Sequence, residues 1–158
     1  MTKQVLKVAA MLMLIAGLTA ASAAIANGKV STKRLVVQVP FDFNVGDQAV
    51  PAGQYDVIIP SNTGGALWIL NHDGEAQRMI LARSAERRSD KMIAKLVFHR
   101  YGSTYFLAQA WMAGDSTGCE ISKTKQERAL ERERGKIAAS QGDAKPLYEV
   151  VEVIATVR

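Results

Sequence analysis

The chain has 158 residues, 48% of them apolar, with a formal net charge of +5 and a single cysteine. That length and composition fit one globular domain, and the sequence holds no internal repeat or low-complexity tract. One cysteine cannot form an internal disulfide, so a disulfide-stapled scaffold is excluded.

The first 23 residues, MTKQVLKVAAMLMLIAGLTAASA, have the three parts of a secretory signal peptide. Lys3 and Lys7 make a basic start, Val8 to Leu18 an uncharged apolar run, and Ala21-Ser22-Ala23 a small-residue cleavage pattern. A second pattern at Ala24-Ile25-Ala26 places an alternative cut after residue 26. The apolar run is shorter than the ~20 residues that a membrane span requires. Removal of the segment takes Lys3 and Lys7 with it and lowers the net charge from +5 to +3. The expected location is therefore extracytoplasmic, periplasmic or secreted, with no transmembrane segment after cleavage. Export also disfavours a nucleic-acid partner, and leaves a glycan, a lipid or an envelope component.

Residues 24–33 read as a polar leader, and 34–158 as one β-rich domain. Arg34 to Val45 is rich in β-branched and aromatic residues, with Pro40 marking an edge or a bend. Gly46-Asp47 and Pro51-Ala52-Gly53 are turn signals that bracket the approach to a second strand, Gln54 to Ile59. Ala66–Asn71 and Ala76–Arg83 flank an Asp73-Gly74 hairpin signal. Ser84 to Met92 reads as a charged connection. Arg83, Arg87 and Arg88, with Lys91 and Lys95, form a basic stretch that is most simply a solvated loop.

The hairpin LVFHRYGSTYFLAQAW turns at Gly102-Ser103. A two-residue loop there pairs Tyr101 with Thr104, Arg100 with Tyr105, His99 with Phe106 and Phe98 with Leu107. Alternation then puts Leu96, Phe98, Arg100, Tyr105, Leu107 and Trp111 on one face, and Val97, His99, Tyr101, Phe106 and Ala108 on the other. His99 and Arg100 are thereby split, and Arg100 beside Tyr105 reads as a cation–π pair. Residues 113–118 read as a loop. A charged helix follows over about 122–139, with Thr124 and Glu127 in capping-box spacing. Leu147 to Val157 is a last strand that returns near the first. The sum is a mainly β fold: an antiparallel sandwich or small open barrel of about seven strands, with one helix before the last strand.

No convergent catalytic set emerges. His72 and His99 lack zinc spacing, no phosphate-binding or nucleophile-elbow motif is present, and no metal or cofactor is expected. The domain reads as an exported, non-enzymatic β-rich module that binds something or belongs to the cell envelope. Its surface candidates are Tyr55, Trp68, Arg100, Tyr101 and Tyr105. One alternative is a thiol-dependent hydrolase using Cys119 with a histidine, with no orienting carboxylate apparent beside His99. The other is a self-assembling subunit that exchanges the edge strand broken by Pro40 and the weakly amphipathic helix between chains.

Three segments carry a family likeness: VPFDFNVGDQAVPAGQYDV, KLVFHRYGSTYFLAQAW and STGCEISKTKQERALE. Their order, PFDF-x-VG, PAG-x-Y, LVFHRYG-x-x-YFL-x-x-x-W and a charged helical segment, resembles an uncharacterised family of small exported bacterial β-rich proteins over residues 38–132. The resemblance implies export and a β-rich fold. It supplies no substrate, cofactor or catalytic residue, and it implies variability at Cys119, which weakens a catalytic role there.

Overall fold

The computed structural model describes residues 32–60, 65–72, 77–86, 93–141 and 146–158. The expected signal peptide and most of the leader lie outside the described residues, as does the Asp73-Gly74 turn.

Eleven strands and one helix make up the described fold. In chain order they are β1 Thr32–Val39, β2 Phe43–Val45, β3 Gln48–Val50, β4 Gly53–Pro60, β5 Ala66–Asn71, β6 Gln77–Glu86, β7 Lys95–Tyr101, β8 Thr104–Trp111, β9 Thr117–Ile121, α1 Lys125–Gln141, β10 Glu149–Ile154 and β11 Thr156–Val157. The mainly β class and the helix ahead of the final strands agree with the sequence reading. The strand count does not. Pro40 breaks the first segment into β1 and β2, Gln48–Val50 and Thr117–Ile121 are strands in their own right, and Ala155 divides the last segment in two.

The hydrogen-bonded path runs β10-β7-β8-β9-β6-β5-β4-β1-β11. β6 is the corner. Its first half, through Leu81, pairs with β5, and Ala82 to Glu86 pair with β9. Ser84 to Glu86, expected in a connection, thus belong to the sheet. A strand that serves two sheets in succession is how a two-sheet β fold turns an edge. The opposite edge is bridged by the chain itself. β10 pairs with β7, and one residue later β11 pairs with β1, Leu35 opposite Val157. The terminal strand does return to the first, as expected. β2 joins the second sheet by a parallel bridge, Asn44 opposite Phe106, with Asn44 Nδ2 donating to the Tyr105 carbonyl at 3.1 Å.

The interior between the sheets is apolar. Leu35, Val37, Val39, Val57, Leu67, Ile69, Leu96, Phe98, Ala110 and Cys119 are buried there. Phe43 is at its centre, edge-on to both Tyr55 and Phe98. Asp42 Oδ1 accepts the Ala52 N–H at 2.8 Å, and the Tyr55 hydroxyl donates to the Pro51 carbonyl at 2.6 Å. The PFDF and PAG-x-Y segments are therefore one interlocked unit, in which polar atoms fix the turn and rings fill the core.

The β7–β8 hairpin has the expected register at its turn. Tyr101 faces Thr104, Arg100 faces Tyr105, His99 faces Phe106 and Phe98 faces Leu107. Gly102 holds the turn at φ +67°, a conformation that L side chains rarely adopt. Beyond Phe98 the ladder slips. Val97 pairs with Gln109, Leu96 with Ala110 and Lys95 with Trp111, which leaves Ala108 as the extra residue of a β-bulge. The slip corrects the expected faces. Ala110 now points into the core, and Trp111 turns to the outer face with Lys95 and Val97. There its indole N–H donates to Gln109 Oε1 at 3.0 Å.

Candidate functional site

A second, smaller buried layer lies on the outer face of β7 and β8, beneath α1. Val97, Tyr101, Phe106, Ala108 and Trp111 are buried but stand outside the main core. The sequence places polar groups among them because β7 alternates: Val97, His99 and Tyr101 share this face.

α1 begins with Thr124, whose Oγ1 accepts the Glu127 N–H at 3.0 Å. This is the expected N-cap, but only half of a capping box. The Glu127 carboxylate does not fold back on the cap. It turns inward, where its side chain is 5% exposed, and Oε1 meets His99 Nδ1 at 2.8 Å and the Tyr101 hydroxyl at 3.3 Å. Tyr148, just ahead of β10, covers the imidazole with ring centroids 4.1 Å apart. Lys123 stands over the Tyr148 ring at 4.8 Å and bonds Glu131 Oε1 at 2.6 Å. Burial, and then the Glu127 charge, push the Tyr101 phenol well above its usual range.

His99 thus has the orienting carboxylate that sequence reading missed. Glu127 is 28 positions away and on another element, and its capping-box spacing suggested a different use. A carboxylate on Nδ1 fixes the ring's orientation and tautomer, as in general-base sites. No thiol supplies the nucleophile. Cys119, on β9 opposite Ala110 and Ser84, is 1% exposed in the main core, on the far side of the sheet from His99. Burial raises its pKa, the reverse of what thiolate chemistry needs. His72 is exposed at the end of β5. The Cys119–histidine dyad is not assembled by this fold. Among the described residues no group of three or more His, Cys, Asp or Glu side chains could hold a metal ion.

The five surface candidates do not form one surface. Tyr55 and Tyr101 are buried, in different layers. Tyr105 is half-buried, stacked on Phe41 at 3.9 Å with the Arg100 guanidinium 5.5 Å from its ring centre, so the expected cation–π pair is present. Arg100 also donates to the Gly102 carbonyl at 2.7 Å and reaches Glu149 at 3.1 Å. Trp68 lies on the outer face of the first sheet in a cross-strand row Arg34, Ile58, Trp68, Met79. Met79 and, beside Ala66, Leu81 are 59% and 76% exposed on that face. A cleft of about 70 Å³ lined by Val50, Pro51, Tyr55, Ile69, Asn71 and Arg78 is far below the several hundred Å³ of a ligand pocket.

No family model, curated protein or solved structure matches the chain. Among the described residues no helix is long and apolar enough to cross a membrane, which leaves β-barrel insertion untouched.

Proposed function

We propose that the chain is exported by removal of residues 1–23 or 1–26, and acts outside the cytoplasm as a non-enzymatic, envelope-associated binding domain of the family that its motifs resemble. The observation that carries this reading is the use made of its reactive groups. The one carboxylate–imidazole pair described is capped by Tyr148 and seats α1 on the sheet, and the thiol is sealed in the core. Both are spent on holding the fold, which leaves the exposed surface for the work. Fractionation of a bacterial host that expresses the full chain tests the reading. The expected result is a processed chain beginning at Ala24 or Asn27 outside the cytoplasm. A cytoplasmic chain beginning at Met1 overturns it.

A second reading, self-association, is favoured by the apolar row Ile58, Trp68, Met79 with Leu81 beside it. The occupant of that face is then a second copy, sheet against sheet. Trp68 is flanked in the row by Ile58 and Met79, apolar rather than sugar-binding neighbours. Light scattering after size exclusion should show a dimer that Leu81→Glu dissociates. A strict monomer at high concentration rules it out.

A further inference from the structure

The inner face of the first sheet ends on two polar side chains. Cross-strand partners share a face, and Tyr55 pairs with Asn71, Val57 with Ile69, Ile69 with Arg78 and Leu67 with Ile80. Tyr55, Val57, Leu67 and Ile69 are buried in the main core. Asn71 and Arg78 therefore occupy positions where strand alternation calls for apolar residues. Both line the cleft of about 70 Å³, whose other walls are Val50, Pro51, Tyr55 and Ile69. Arg78 is half-buried, and among the described residues neither its guanidinium nor the Asn71 amide has a hydrogen-bond or ion-pair partner. The Tyr55 phenol feels the charges of both Arg78 and Asp42. Asp42, however, accepts the Ala52 N–H at 2.8 Å and forms no ion pair with Arg78. The Tyr55 hydroxyl spends its proton on the Pro51 carbonyl. The lining side chains thus offer donors from Arg78 and Asn71, set against apolar walls. Asp73 and Glu75, in the connection between those two, lie outside the described residues.

We infer that the cleft binds a single carboxylate group, held in the fork of the Arg78 guanidinium with the Asn71 amide beside it. A half-buried charge without a counter-charge is costly. The described side chains supply none, so the balancing anion comes from a ligand. One cation calls for one negative charge. Sulfate or a phosphate ester would carry a second charge against the side chains of Val50, Pro51 and Ile69, which offer no donor. A carboxylate presents two coplanar oxygens that match the guanidinium fork, whereas chloride has no such edge. Volume sets the rest. About 70 Å³ is roughly two waters' share of the liquid, which is room for the carboxylate and the first carbons of its tail. Its bearer is a short aliphatic acid, or a peptide whose terminus enters while its body stays outside. The inference goes beyond the function proposed above and does not depend on export.

The test titrates the chain, as recovered from its expressing host, with sodium propionate and with N-acetyl-dialanine, and follows the Arg78 Nε–H and Asn71 side-chain amide resonances. Saturable shifts of both are expected, at the millimolar affinity of a ligand with so few atoms. Tighter binding of propionate makes a free acid the source, and tighter binding of N-acetyl-dialanine a peptide terminus; both uphold the carboxylate. Propionamide, and chloride or sulfate at equal ionic strength, should bind at least about tenfold more weakly, since a charge-assisted bidentate pair is lost. Arg78→Met should lose at least about tenfold and Asn71→Ala about fivefold. Should Arg78→Met fail to fold, Arg78→Lys, which keeps the charge and loses the fork, takes its place with an expected loss of about fivefold. Four results overturn the inference: no saturation by either acid; propionamide, chloride or sulfate binding as tightly as propionate; undiminished binding by the folded Arg78 variant; or binding that appears only in D73N/E75Q, which would give Arg78 to the chain's own turn. The two readings fail separately. An exported chain that ignores carboxylates overturns only this one, whereas a cytoplasmic chain that binds them overturns only the other.

Discussion

Glu127 reaches from the first turn of α1 through the outer layer to His99 on β7, Oε1 to Nδ1 at 2.8 Å, and shares the same oxygen with the Tyr101 hydroxyl. One buried carboxylate oxygen therefore serves two donors on one strand. The apolar side of α1 is thin, with Leu130 only half-buried and Ile137 exposed, so this contact is the main anchor of the helix. Glu127→Ala should destabilise the protein by about 3 kcal/mol, the cost of stripping one partner from a buried polar pair. Glu127→Gln retains an acceptor and should cost about 1–2 kcal/mol. Denaturant unfolding measures both. A double-mutant cycle with His99→Ala should show coupling well above the noise of additivity, and strict additivity would mean that the anchor lies elsewhere.

Tyr101 and Tyr105 sit on one hairpin, yet their hydroxyls have different duties. The Tyr101 hydroxyl donates to Glu127, whereas Tyr105 acts through its ring, between Phe41 and Arg100. Tyr101→Phe should cost about 1 kcal/mol, and Tyr105→Phe less than about 0.5 kcal/mol. Tyr105→Ala should cost about 3 kcal/mol. Equal effects of the two phenylalanine variants in thermal unfolding would contradict this division.

Gly118 is buried, and a Cβ there would collide with the Trp111 ring and approach the Ala110 carbonyl oxygen. Neither can retreat cheaply, since the ring is buried and the oxygen belongs to the backbone. Gly118→Ala should cost about 1–3 kcal/mol, as overpacking does, and should shift the Trp111 fluorescence. An unshifted spectrum at wild-type stability would place the indole away from β9.

Alkaline pH should loosen the fold in a defined window. Burial raises the Cys119 thiol and the Tyr101 phenol above their ordinary values, so the folded chain holds both protons more tightly than the unfolded chain does. Stability from these groups is fully present below their unfolded values, about 8.5 for the thiol and 10 for the phenol, and is lost as pH rises above them. Unfolding free energy should decline above about pH 8.5, more shallowly in Cys119→Ala and in Tyr101→Phe. Native Cys119 should resist a soluble thiol reagent at pH 8 and react once denaturant is added. Rapid labelling of the native protein would contradict its burial.

How legible the fold is from sequence depends on the range of the interaction. The Gly102-Ser103 turn sets the register of its hairpin locally, and all four expected pairs are present. The bulge at Ala108 depends on the sheet beyond, and nothing in AQAW marks it, so Trp111 falls on the unexpected face. β9 reads as a loop because Thr117-Gly118 looks like turn chemistry. It is a strand because the second half of β6 and the far end of β8 need a partner, and its glycine leaves room for the Trp111 ring. The Glu127–His99 contact joins elements that only the fold brings together. Spacing picked out Glu127 as a cap residue, while the carboxylate's use depends on which strand lies beneath the helix.

Ala155 separates two short strands that fasten opposite ends of the sheet, β10 to β7 and β11 to β1. Strands β1 and β4 can pair as soon as they are made, but the gap between the two sheet ends cannot be bridged until residue 157 is free to move. Until Val157 meets Leu35, more than a hundred positions away in the chain, the sheet is unsealed and its Phe43–Phe98 interior lies open, so closing the core is a single long-range event.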